Sequence, residues 1–293
     1  MRNLARSFYH KLPIIRELQH IKKELREHNR RGATELNAHL DSYASSLLQQ
    51  ERYQNPKNLN RYERQVFSQG GEDGIVTEIY RRIGCESKVL VEIGCANGLE
   101  NCTTFLLYQN QGWSGYWIDG DEALIRKALH TFRKPIAEGR LKARQAFVTA
   151  ENIASILQEW GVPDEIDLFS LDIDRNTYYI WDALPHLHPR VAVIEYNSTI
   201  PPSVDWKVAH HADRVMNGTT YFGASLKAVE LLGRKLGYSL VGCSLNGKNA
   251  FFVRDDLCED KFEKPFTSEQ HFQPPRWFLD HRLVFPPCFS DDD

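Results

Sequence analysis

The stretch VLVEIGCANG, residues 89–98, decides the fold. Val89–Ile93 is a short apolar run with β-branched residues, which reads as a buried strand. Gly94 lets the backbone turn sharply where the strand ends. Gly98 removes side-chain bulk where a ligand must approach, and a helix that follows directs free N–H groups at the crevice. The spacing E-x-G-x-x-x-G, with Glu92, Gly94 and Gly98 as its fixed points, differs from the G-x-G-x-x-G of dinucleotide sites. Taken alone, it fits either a nucleotide-type cofactor or a tight strand-to-helix turn without a ligand.

Outward from this turn the chain alternates helix and strand patterns. Residues 72–83 place Ile75, Ile79 and Ile83 on one helical face. After the turn, helices are predicted over 99–110, 121–133, 151–160, 177–187 and 222–236. They are interleaved with strands over 115–119, 142–148, 166–173 and 190–197. The strands 239–245 and 249–255 flank Asn246-Gly247-Lys248, a hairpin signal. The pattern predicts an α/β domain, a doubly wound Rossmann-like seven-stranded sheet with an antiparallel last strand, plus an N-terminal helical arm. The expected divisions are an arm at 1–50, a linker at 51–65, the α/β domain at 66–257 and an extension at 258–293.

Open sheets of this kind bind ligands beyond the carboxyl ends of their strands. Asp119 ends the second strand, where an acidic side chain can accept both hydroxyls of a ribose; Asp121 suits the N-cap of the next helix better. Glu151 and Asn152 follow the third strand, at the edge bordering a purine, although helix capping explains them equally well. The fourth strand runs into Asp172-Ile173-Asp174-Arg175-Asn176 and the fifth into Glu195-Tyr196-Asn197. Asp172, Asp174, Glu195 and Asn197 therefore converge on one crevice, though alternation divides them between two faces. Asp172, Asp174 and Asn197 are the candidate ligands for a hard cation such as Mg2+, and one carboxylate is a candidate general base. His210 and His211, in the long loop 198–220, are alternative bases or solvent-exposed histidines. Trp206 and Tyr221 suit stacking on a sugar face, or simply anchor the loop.

The arm carries Ile14, Leu18, Ile21 and Leu25, then Leu36, Leu40, Tyr43 and Leu47, each set at spacings of one helical stripe. The phase slips across His28–Gly32. Nine Lys or Arg against three Glu make residues 1–31 basic. Packing on its own domain, a homo-oligomeric seam, and peripheral contact with an anionic membrane are the three readings of this arm. For the whole chain, net charge is -3 and hydrophobic residues are 42%. No basic field points to nucleic acid, no apolar run has membrane-spanning length, and six cysteines without a C-x-x-C pair speak against zinc or a disulfide framework. The expected location is cytoplasmic, with peripheral contact at an inner membrane as the alternative.

The combination of E-x-G-x-x-x-G, Asp119, Asp172 and the closing hairpin resembles the class I S-adenosylmethionine-dependent methyltransferases, over residues ~66–256. More narrowly, SQGGEDG (68–74), GLENCTTFLL (98–107), DIDRNTYYIW (172–181), IEYN (194–197) and YFGASL (221–226) are similar to the FkbM-like methyltransferases of bacterial polysaccharide and natural-product clusters. The resemblance implies S-adenosyl-L-methionine as cofactor, contacts at Glu92, Gly94, Gly98 and Asp119, and O-methylation of a hydroxyl on a carbohydrate-containing acceptor; Asn97 within the turn and Asp172 are further candidate cofactor contacts. Arg175 stands where that family has a flexible glycine, which suits an anionic acceptor. A non-catalytic scaffold and a nicotinamide oxidoreductase are the competing functions.

Overall fold

The computed structural model describes residues 13–68, 70–99, 102–104, 112–215 and 218–281. The described residues divide into two units, 13–47 with 281, and 48–280. In the first, helix α1 (Pro13–Leu48) runs unbroken for 36 residues. Gly32 does not interrupt it, because a single glycine costs only about 1 kcal/mol in a helix interior. Among the described residues, no helix is long and apolar enough to cross a membrane.

The second unit is built on a seven-stranded sheet: β1 (Val89–Ile93), β2 (Ser114–Asp119), β3 (Leu141–Gln145), β4 (Glu165–Leu171), β5 (His188–Glu195), β6 (Tyr238–Cys243) and β7 (Asn249–Arg254), in the order β3-β2-β1-β4-β5-β7-β6. Neighbours pair in parallel except β7, which is antiparallel to both β5 and β6. This is the doubly wound sheet with a reversed last strand that the sequence predicts. The order reverses between β1 and β4, and the crevice lies at their carboxyl ends.

Strand alternation sorts the core into two layers. Leu90, Leu168, Val191, Val193, Phe251 and Val253 point to one face and meet α2 (Glu72–Ile83) and α3 (Glu122–Thr131) through Ile75, Ile79, Ile125 and Ala128. Val91, Ile93, Leu171, Ala192, Ile194 and Phe252 point to the other face. There they meet α5 (Ile153–Glu159), α6 (Thr177–Asp182) and α7 (Leu226–Lys235), while a short α4 (Arg133–Ala137) follows α3. The α6 and α7 helices are shorter than the periodicity predicts, and the helix predicted over 99–110 falls largely outside the described residues.

Residues 51–65 differ from the linker expected there. Two 3-10 turns, Glu51–Tyr53 and Leu59–Tyr62, bury Tyr53, Leu59 and Asn60. The polar side chains that suggested solvation are spent internally. Asn60 donates to the Cys243 carbonyl at 2.7 Å, Asn58 to Glu263 at 2.7 Å, and the Tyr53 hydroxyl to Gln273 at 2.8 Å. The segment 255–281 thereby closes over the sheet edge formed by β6.

Candidate active site

The turn after β1 is set by two glycines with different tasks. Gly94 has φ +87°, and a Cβ there would lie 1.8 Å from the Asp172 carbonyl oxygen. Its absence lets β1 and β4 close up, with Asp172 N–H donating to Ile93 at 3.0 Å and Gly94 N–H to Ile118 at 2.9 Å. Gly98 also has positive φ, but the space a Cβ would take is filled by the rings of Trp117 and Phe132. Gly98 thus serves packing of the turn on the core, a correction to its reading as ligand clearance.

Glu92 is likewise turned inward. It is 2% exposed and accepts from Cys102 Sγ at 2.8 Å, Thr103 N–H at 2.8 Å, Thr104 N–H at 3.2 Å and the Thr104 hydroxyl. Burial raises its carboxyl above the ordinary range, against the pull of those donors. Its place is beneath the turn, holding residues 102–104. Asn97 accepts from Leu99 N–H at 3.0 Å, an Asx cap within the turn. Neither Glu92, Asn97 nor Gly98 lines the cleft beside Gly94.

That cleft, of about 460 Å3, is lined on one side by Gly94, Asp119, Gly120, Asp121, Phe147 and Val148, on the other by Asp172, Ile173, Asp174 and Asn176, and by Arg214 and Val215 of the long loop. Asp119 ends β2 half-buried. One oxygen accepts from Ala96 N–H at 2.8 Å and the other from Asp121 N–H at 2.8 Å, which fixes the carboxylate and leaves each oxygen a further lone pair for a ligand hydroxyl. Asp121 caps α3 through Ala123 and Leu124 N–H. Glu151 and Asn152 stand outside the cleft lining. Asn152 accepts from Thr149 N–H at 2.8 Å and donates to the Phe147 carbonyl at 2.9 Å, so it shapes the β3–α5 loop. The residues this loop presents to the cleft are Phe147 and Val148; the sequence signal for them was only an apolar pair at a strand end that should face a purine.

On the other side, Asp172, Asp174 and Glu195 each bring a carboxylate oxygen to within 4.8 Å of the others. Asp174 sits at φ +63°, a left-handed conformation that aspartate tolerates better than most residues. Burial, then the Asp174 charge, push the Asp172 carboxyl up to about 7, with Lys248 opposing. Burial, followed by the two aspartates, raises Glu195 well above its usual range. Three acids this close cannot all ionise without a cation or shared protons.

Asn197 does not join them. It is fully buried, donates to the carbonyls of Thr220 and Phe222, both at 2.9 Å, and accepts from Thr199 N–H at 3.1 Å and the Thr199 hydroxyl at 2.6 Å. With both ends of its amide spent on the loop, Asn197 has no capacity left for a cation or an acceptor, and Glu195 takes its place. Arg175 is buried too. It donates to the Ala209 carbonyl at 3.3 Å and lies 5.6 Å from the centre of the Tyr221 ring, so it braces the loop from within instead of facing an anionic acceptor.

Of the loop histidines, His210 lies 3.6 Å from Glu151 and its ring centre is 4.8 Å from that of Tyr179. His211 is exposed, and its carbonyl accepts from Asn176 at 3.0 Å and from Arg214 N–H at 3.3 Å. Neither histidine is among the residues lining the cleft. Trp206 and Tyr221 stand edge to face, 5.5 Å apart, with Tyr221 half exposed.

No family model matches the chain, and no curated protein matches it. Solved structures similar to it include the N-terminal domain of EvdMO1 with SAH bound, at 11% identity over 66% of this chain and 82% of that one, with a TM-score of 0.41. An S-adenosylmethionine-dependent methyltransferase from Clostridium acetobutylicum is 13% identical over 61% of this chain and 89% of that one, TM-score 0.37. M. capricolum TrmK in complex with S-adenosyl-homocysteine is 14% identical over 61% and 65%, TM-score 0.36. Likenesses at this level do not indicate what the chain acts on. Its fold stands on the strand order and pairing above.

Proposed function

We propose that the chain is an S-adenosylmethionine-dependent O-methyltransferase of the FkbM-like kind, acting on a hydroxyl of a carbohydrate-containing acceptor. The observation that carries the reading is the joint lining of one cleft by Asp119 and by the acidic pair Asp172 and Asp174, at the β1/β4 reversal. The residues present fit the cofactor. Asp119 has free lone pairs for ribose hydroxyls, Phe147 and Val148 offer an apolar wall for a purine, and Gly94 leaves the backbone bare between them. Bound there, S-adenosylmethionine supplies an electrophilic methyl group.

The remaining chemistry falls to the carboxylates. A sugar hydroxyl is a poor nucleophile until its proton has somewhere to go. Asp172, held near 7, is partly ionised at neutral pH and accepts that proton better than an ordinary aspartate would. Asp172, Asp174 and Glu195 also form the hard oxygen set that a divalent cation takes, and such an ion supplies charge that favours the ionised hydroxyl. The exposed face of Tyr221, backed by Trp206, suits the C–H face of a sugar ring.

Calorimetry with S-adenosylmethionine, followed by transfer of labelled methyl to a panel of nucleotide sugars and glycolipids, tests the reading. Micromolar binding and labelled product are expected. A protein that binds no cofactor, or binds nicotinamide dinucleotide in its place, would be a scaffold or an oxidoreductase. Activity unchanged by exhaustive chelation removes the cation alone.

A further inference from the structure

Helix α1 carries a stripe whose pattern reads the same in both directions. Ile14, Leu18, Ile21, Leu25, Asn29, Gly32, Leu36, Leu40, Tyr43 and Leu47 follow spacings of 4, 3, 4, 4, 3, 4, 4, 3 and 4. The phase slip across His28–Gly32 is therefore an 11-residue repeat, which keeps the stripe on one side of an unbroken helix with little supercoil. Within the protomer the stripe is only partly covered. Leu40 and Leu47 are buried, but Ile21, Leu25, Leu36 and Tyr43 are 53%, 58%, 51% and 40% exposed. Along a helix ~54 Å long, so exposed an apolar stripe marks a contact surface.

We propose that α1 pairs through its exposed span Leu25–Leu36 with α1 of a second copy of this chain in antiparallel orientation, centred between Asn29 and Gly32, while Leu40 and Leu47 keep the cover they have within the protomer. In that register Leu25 of each copy meets Leu36 of the other, twice around the two-fold axis, as a closed symmetric contact requires. Asn29 meets Gly32, where a Cβ would touch nothing within 4 Å, so the larger side chain has a gap to enter. Charge selects the direction. Residues 13–31 carry Arg16, Lys22, Lys23, Arg26, Arg30 and Arg31 against Glu17, Glu24 and Glu27, whereas residues 32–48 carry only Glu35 and Asp41. Antiparallel pairing sets the basic half beside the acidic half of the partner, while parallel pairing sets basic beside basic.

The full-length protein at micromolar concentration should show, by light scattering, twice the 33.9 kDa mass of one chain. Leu25→Lys with Leu36→Lys should be monomeric, because like charges then meet at both central contacts. Leu25→Glu with Leu36→Lys should return to the dimer at low salt and dissociate as salt rises, since position 25 faces position 36 of the other copy. Both leucines are exposed, so circular dichroism of either variant should match the wild type. A monomeric wild type, including one that floats with anionic phosphatidylserine vesicles, overturns the proposal. Two double variants of equal mass overturn the antiparallel register, because in a parallel pair each position meets itself.

Discussion

Replacing Asp172 by Asn separates the stability of the cleft from its chemistry. Burial and the adjacent Asp174 raise the Asp172 carboxyl from 3.8 to about 7. Between those values the folded chain keeps a proton that the unfolded chain has released. This contribution to stability is therefore full at pH below the unfolded value and is lost as pH rises through the folded one. At about 1.4 kcal/mol per tenfold change, the loss has an upper bound of about 4 kcal/mol. Asp172 keeps some contact with water and shares its protons with Asp174 and Glu195, so roughly half, about 2 kcal/mol, is the working figure. Asp172→Asn has nothing to ionise. At pH 8 it should melt ~4–8 °C above wild type, with no gain near pH 4. The same variant has no carboxylate to take a proton and should lose roughly 100- to 10,000-fold in kcat. Thermal unfolding at both pH values, run beside methyl transfer, gives the answer. A melting difference that is the same at both pH values, or a fully active variant, refutes the reasoning.

Gly94→Ala forces a Cβ into the Asp172 carbonyl at positive φ. It should cost about 3 kcal/mol or more in denaturant unfolding and abolish cofactor binding. Asp119→Ala should weaken S-adenosylmethionine about 10- to 100-fold by calorimetry, the value of one or two hydrogen bonds to a charged group. Asp121→Ala removes the α3 cap and should cost about 1 kcal/mol of stability; because Asp121 also lines the cleft, it should weaken the cofactor too, but by less than Asp119→Ala does. Asn197→Ala releases the loop from Thr199, Thr220 and Phe222; steady-state kinetics should show a raised acceptor KM with cofactor affinity intact. In the wild type, kcat/KM should climb with pH through the value near 7 set by Asp172, and Asp174→Asn should move that rise to lower pH by removing a like charge.

What could be read from the sequence divides along the distance over which each group is satisfied. The strands, their alternation and the hairpin at Asn246-Gly247 are local signals, and the sheet order follows from them with few topologies to choose among. Asp121 as a cap was legible because its partners lie two and three residues away. Glu92 and Gly98 were misplaced because what meets them, Thr104 in one case and the Trp117 and Phe132 rings in the other, arrives from further along the chain. The choice between Glu195 and Asn197 shows the same limit. Both lie on one strand extension with the same parity, and only carbonyls 23 and 25 residues away decide that the amide is consumed. The linker reading of 51–65 failed for a related reason, since its polar composition serves partners beyond residue 240.

The Asn197 amide has a consequence for how such a protein can diversify. By gripping Thr199 at one end and Thr220 and Phe222 at the other, it makes the intervening residues a cassette pinned at its base. Between the pins the chain is tied down again, where Arg175, Asn176 and Tyr179 hold the carbonyls of Ala209, His211 and Val208. Only the stretches between these ties can change without disturbing the turn after β4 and α6. Variation in this loop is therefore channelled into the spans between its ties, and the ties themselves share the constraint that holds the carboxylates.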